Sequence, residues 1–258
     1  MKIREADAEF FGCDLSSGGD RLLSFASDYR IRIHETRTGK TIISLDTEQR
    51  LPLFASFSPN DKKIITVTCD SITRQCRLEY WDAGNGKREQ TFDTPPGVIT
   101  LSAIASADGK MLLSMSSDGK IRLWETATGK LLRVVTETDK IFMEGKSMLG
   151  KEDFSSITAA FSGDARYIAA SSLSNIPVVQ ETGSGKTVTT LEGISILMYH
   201  PRYSPDGNFF ATAGLKNNLR ADSKLSGVAN VWDTRSGKLA FSLAGHSGAV
   251  NELRFSKD

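Results

Sequence analysis

The chain has 258 residues, 39% hydrophobic and 24% charged, with 32 Lys and Arg set against 31 Asp and Glu for a formal net charge of +1. These proportions are ordinary for a globular domain and exclude a disordered or fibrous chain; so small a net charge supplies no long-range field to gather nucleic acid or an anionic membrane. Three cysteines make no disulfide framework and point to a reducing compartment, the cytoplasm.

The opening Met1-Lys2-Ile3-Arg4-Glu5 mixes charge signs and lacks the apolar run of an export signal. A first unit, about 10–45, follows. Its residues 16–40, SSGGDRLLSFASDYRIRIHETRTGK, align without a gap to 106–130, SADGKMLLSMSSDGKIRLWETATGK, with 14 of 25 positions identical. A second unit, about 53–92, carries SPNDKKIITVTCD and CRLEYWDAGNGK. The uncharged stretch from Thr94 to Ala107 contains two prolines and falls short of the roughly 20 residues a membrane helix requires. The third unit is about 98–135; the fourth, about 154–191, repeats the pattern as SGDARYIAASSLSNIPVVQETGSGK; the fifth, about 195–243, has SPDGNFFATAG and VANVWDTRSGK. Residues 249–258 read as the first strand of a further unit.

A period of about 40 to 50 residues is the signature of a repeat architecture. Within each unit, short β-rich runs such as Met111 to Met115 and Ile121 to Trp124 alternate with polar turns, and a last run follows each Gly-Lys, as in Thr41 to Leu45, Leu131 to Val135 and Leu239 to Leu243. Gly39, Gly86, Gly129, Gly185 and Gly237 hold equivalent turn positions, where a tight hairpin needs positive φ. Four antiparallel strands per repeat predict an all-β chain of propeller blades.

Ser106 to Glu125, together with Trp81-Asp82, Trp124-Glu125 and Trp232-Asp233, resembles the WD-repeat family. The resemblance covers nearly the whole chain and implies a single β-propeller domain of four-stranded WD-type blades, five complete and one begun, within a larger ring; the alternative is a five-bladed ring with the last strand as a flap. It also implies structural roles for Asp28, Ser114, Asp118, Trp81, Trp124, Trp232 and His246, the family's blades being braced by hydrogen-bonded Asp, Ser/Thr, Trp and His. Departures are clear. Gly245-His246 is the single Gly-His pair, Pro95-Pro96 sits where another would fall, and His34 and Gln180 replace Trp in units one and four. Such blades are expected to lean on packing.

Motifs with chemical content resolve into the repeat. Gly183-Ser184-Gly185-Lys186-Thr187 ends like a phosphate-binding loop, but Gln180 stands where that pattern needs Gly, and the segment coincides with the Gly-Lys turn of every other unit. Nucleotide binding is not expected. His34, His200 and His246 lie far apart without metal-ligand spacing, and neither a second His after His34-Glu35 nor a GxSxG elbow occurs. No cofactor, metal or catalytic residue is predicted. Cys69 and Cys76 flank the loop DSITRQ; in a reducing compartment they read as two thiols, and an exported chain would be able to join them.

Three long irregular segments, 69–76, 137–153 and 214–227, follow the second or fourth strand of their units and are expected to share one face. Long loops on a rigid scaffold carry recognition. The middle one sets Ile141, Phe142, Met143, Met148 and Leu149 among charges, and the last contributes Lys216, Arg220 and Lys224. These eight residues are the candidate partner-binding set. Lys40, Lys87, Lys130, Lys186 and Lys238 recur at equivalent turns and read as solvated lysines. The resulting expectation is a non-enzymatic scaffold that binds a protein partner, with neither membrane nor nucleic acid as ligand. The alternative is a sensor or regulatory propeller of a larger multidomain protein.

Overall fold

The computed structural model describes residues 8–136, 158–171, 178–190, 197–204, 206–216, 226–248, 250 and 253–256. They form five four-stranded antiparallel sheets. Sheet 1 comprises β1 (Phe10–Leu15), β2 (Arg21–Ala26), β3 (Arg30–Glu35) and β4 (Thr41–Asp46). Sheet 2 comprises β5 (Leu51–Phe57), β6 (Lys63–Cys69), β7 (Cys76–Asp82) and β8 (Arg88–Phe92). Sheet 3 has β9 (Thr100–Ala105), β10 (Met111–Ser116), β11 (Ile121–Glu125) and β12 (Leu131–Thr136). Sheet 4 has β13 (Thr158–Phe161), β14 (Tyr167–Ser171), β15 (Val178–Glu181) and β16 (Thr187–Thr190), and sheet 5 has β17 (Leu197–Tyr203), β18 (Phe209–Lys216), β19 (Ser226–Asp233) and β20 (Leu239–His246). In every sheet spatial order follows chain order, as hairpin connections require. The segment read as opening a further unit, 249–258, is described only at 250 and 253–256, none of which lies in a strand.

The chain divides into two compact units, one of Met1–Ser117 with Leu123–Arg133 and one of Asp118–Arg122 with Val134–Asp258. In the first, β1 lies beside β5 and β5 beside β9; in the second, β13 lies beside β17.

A buried serine sets the first hairpin of every sheet. Ser16, Ser58, Ser106, Ser162 and Ser204 each accept a backbone N–H from the residue that opens the second strand, at 2.9 to 3.0 Å. Each donates its hydroxyl to an Asp or Asn side chain in the same turn. The residue three after the serine takes positive φ in all five: Gly19, Asp61, Gly109, Ala165 and Gly207. Glycine adopts that conformation freely, whereas Asp61 and Ala165 adopt it against the Cβ penalty. Asp61 gains from its position, since its carboxylate accepts the Ser17 N–H and joins sheet 1 to sheet 2.

Packing between sheets rests on the outermost strand. Leu45 of β4, with Ile43 beside it, packs against Ala55, Phe57, Ile64, Trp81 and Ala83 of sheet 2. Phe92 of β8 meets Trp124 of sheet 3 edge-on, with ring centroids 5.9 Å apart. The turn glycine permits this closeness: Gly86 has φ 71°, and a Cβ there would lie 2.8 Å from Ile43 Cγ2. Arg21 adds a polar stitch, donating to Asp61 O and Ala83 O across the same junction at 2.8 and 3.2 Å. In the second unit, Phe210 and Trp232 of sheet 5 cluster with Ala169 and Val179 of sheet 4.

Ala165→Gly relieves left-handed strain and is expected to raise stability by about 1 kcal/mol in urea unfolding; a decrease would show that the buried methyl outweighs the strain. The Ser106 hydroxyl, and then the Lys110 N–H, hold the Asp108 carboxyl below its ordinary value of 3.8. Its contribution is therefore present above pH 3.8 and lost as pH falls through the lowered folded value. Asp108→Asn should flatten the acid limb of the stability profile, and an unchanged limb would exclude this turn as a source of acid sensitivity.

Candidate protein-interaction site

At the tryptophan position of the repeat, each ring that is present has a hydroxyl partner one strand away. Trp81 Nε1 donates to Thr66 Oγ1 and Trp124 Nε1 to Ser114 Oγ, both at 2.9 Å, and Trp232 Nε1 to Thr212 Oγ1 at 3.4 Å. His34 keeps the same bond in sheet 1: it is buried, Ser24 Oγ lies 2.8 Å from Nε2 and Thr41 Oγ1 lies 3.1 Å from Nδ1. Both ring nitrogens thus have a hydroxyl that can donate or accept. The expectation that these blades lean on packing is therefore incomplete, because a buried polar pair persists where the indole is lost. Gln180, in the same position of sheet 4, donates to Val135 O at 3.3 Å.

The aspartates of the second-to-third-strand turns pair with arginines. Asp28 bonds Arg32 and Asp118 bonds Arg122, each at 2.5 Å. His246 closes β20 and is exposed. In sheet 2 the residue two before the tryptophan is Glu79, where sheets 1 and 3 have Arg32 and Arg122. Burial pushes the Glu79 carboxyl up, opposed by its bond to Arg88. Arg88 Nη1 lies 3.0 Å from Glu79 and 2.8 Å from Glu48, which also accepts from Arg77 at 2.7 Å. Those two arginines hold Glu48 below the usual carboxylate range.

This network underlies the β6–β7 hairpin, whose loop 70–75 is an insertion relative to the tight turns of sheets 1 and 3. Asp70 organises the loop. Its Oδ1 accepts the Ile72 and Thr73 N–H groups at 2.9 and 2.8 Å, its carbonyl accepts the Arg74 N–H at 2.9 Å, and its own N–H donates to Gln75 O at 3.0 Å. The Thr73 and Ile72 N–H groups keep the Asp70 carboxyl low. Buried Arg50, from the segment before β5, donates to Gln75 O from beneath.

A disulfide closes the base of the loop. Cys69 and Cys76 are direct register partners with Cα atoms 4.0 Å apart. The flanking Asp70 N–H to Gln75 O bond makes theirs the non-hydrogen-bonded pair, in which facing side chains come closest. This corrects the reading of two reduced thiols: strand register puts the sulfurs together, which loop composition did not reveal. Cys13 is the remaining free thiol and is exposed.

At the tip, Ile72 is 91% exposed, held out by a loop whose backbone is already fixed. Sequence reasoning singled out the loop but missed this residue; the available signal was one large aliphatic side chain in an otherwise polar insertion. Among the predicted partner-binding residues, Ile141, Phe142, Met143, Met148, Leu149, Arg220 and Lys224 lie outside the described residues, and Lys216 closes β18. The Gly183–Thr187 segment is the last hairpin of sheet 4: Gly185 N–H donates to Glu181 O at 2.9 Å, Ser184 Oγ to Glu181 Oε2 at 2.7 Å, and a strand follows. Among the described residues no group of three or more His, Cys, Asp or Glu is placed to hold a metal ion, and no helix is long and apolar enough to cross a membrane.

Among the described residues, five four-stranded antiparallel sheets with no helix, three of them with a Trp–hydroxyl pair, make an all-β fold consistent with WD-type propeller blades. Residues 86–125 match the family described as WD domain, G-beta repeat. The match runs from the turn glycine before β8 to the end of β11, so it takes the outer strand of sheet 2 with three strands of sheet 3. It therefore includes both sides of the Phe92–Trp124 contact. No curated protein matches the chain significantly.

The disulfide closes a short loop, so its removal is expected to cost about 2 kcal/mol by the chain-entropy relation. Urea unfolding of the Cys69→Ser, Cys76→Ser double variant should show that loss, and the unsubstituted chain in reductant should match it. Identical stability with and without reductant would mean that the bond does not contribute.

Proposed function

We propose that this protein is a non-enzymatic scaffold that binds a protein partner through the ends of its sheets where second and third strands turn, with Ile72 as one apolar anchor. The observation that carries the reading is an isoleucine presented to solvent by a loop already fixed by Asp70, Arg50 and the Cys69–Cys76 bond. A fixed loop loses little conformational entropy on binding, and full burial of one such side chain contributes roughly 1.5 to 3 kcal/mol. WD repeats are found in protein-interaction scaffolds, which accords with this reading. Segments 137–153 and 214–227, with Ile141, Phe142, Met143, Met148, Leu149, Lys216, Arg220 and Lys224, are proposed as further partner-binding segments on the strength of their loop positions in the repeat.

The test is quantitative cross-linking and affinity capture with the intact chain, with Ile72→Asp, and with 137–153 replaced by a short turn. Ile72→Asp should leave thermal unfolding unchanged and weaken capture about tenfold or more, the equivalent of losing roughly 1.4 kcal/mol. Capture unaffected by either change would overturn the proposed surface.

A further inference from the structure

The contact that joins one sheet to the next has two halves, and the described residues leave one of each uncovered. The donor half is the outermost strand. Six residues after the turn glycine stand Leu45, Phe92 and Leu243 in sheets 1, 2 and 5. Leu45 is 2% and Phe92 1% exposed, each seated on the following sheet, whereas Leu243 is 57% exposed. Phe241, equivalent to Ile43, is 51% exposed, and the whole of β20 faces solvent. The receiving half includes the residue just before the anchoring serine of the first hairpin. Phe57 there is 8% exposed in sheet 2, where it packs with Leu45, but Leu15 in sheet 1 is 53% exposed.

One chain thus displays both halves of its own sheet-to-sheet interface, an aromatic and aliphatic ridge on β20 and an apolar receiving face on sheet 1. We infer that a second copy of this chain docks head to tail, the Phe241–Leu243 ridge of one copy packing on the Leu15 face of sheet 1 of the other. The occupant is argued from continuity with the interface inside the first unit, where Ile43 and Leu45 make this contact with the equivalent face of sheet 2. The chemistry matches on both sides: β20 offers Phe241 and Leu243, which pair with Val231 and Ala229 and so point to one side of the strand, and Leu15 stands where Phe57 accepts such a ridge. Because the two faces differ, the contact is heterologous and each copy keeps one free half. The inference is independent of the proposed partner surface, which uses the Ile72 loop.

Sedimentation velocity of the full 258-residue chain across a wide concentration range tests it, with two variants altered only at exposed positions. The unsubstituted chain should associate as concentration rises. Leu15→Asp and the Phe241→Asp, Leu243→Asp pair should each weaken association at least tenfold while keeping the single-copy melting temperature. Mixed in equal amounts, they should associate again and stop at two copies, since only one competent pair of faces remains. If an Asp variant melts lower, the matching Gln variant provides the same readout. A chain that stays a single copy at every concentration overturns the proposal, as do variants that associate like the unsubstituted chain or a mixture that does not associate.

Discussion

The packing of one sheet's outer strand into the next sheet's aromatic position is the contact on which the described structure depends. A four-stranded blade has two faces and too few residues to bury either alone, so each must be covered by a neighbour. Leu45 and Phe92 supply that cover in the first unit. Their approach is close because the facing turn carries glycine; at Gly86 a side chain would occupy the space of Ile43. The same glycine serves the hairpin through its positive φ, so one residue satisfies a local and a non-local requirement together.

Polar groups confer register where apolar packing is indifferent to it. The buried serine of each first hairpin fixes where the second strand begins, and the hydroxyl beneath each indole fixes which residue faces the neighbouring sheet. His34 shows how far this can change without loss: an imidazole replaces the indole and still finds a hydroxyl. Sheet 2 inverts the charge at a neighbouring position, and Glu79 is then held by Arg88. Leaving a buried polar group unsatisfied is costly, and both substitutions avoid that cost.

The repeat was readable in the sequence because strand periodicity, turn glycines and anchoring serines are local demands on the backbone. The alignment of 16–40 with 106–130 placed the strands of two sheets at once. The Ile72 tip and the Cys69–Cys76 bond were not readable in the same way. Cys69 and Cys76 bracket a polar loop in either redox state, and only the β6–β7 register sets them opposite one another. Ile72 is one aliphatic residue among polar neighbours, a composition equally consistent with a side chain folded inward.

By itself the sequence determined that this protein is built of repeated four-stranded antiparallel units, where their turns fall, and which residues hold the tryptophan position. The tertiary structure alone decided which equivalent residues are covered. Leu15 and Phe57 occupy the same place in the repeat and are both large and apolar, yet one is exposed and the other buried. The physical reason is that backbone conformation answers to neighbours along the chain, whereas burial answers to whatever packs from outside the unit, which no local pattern encodes.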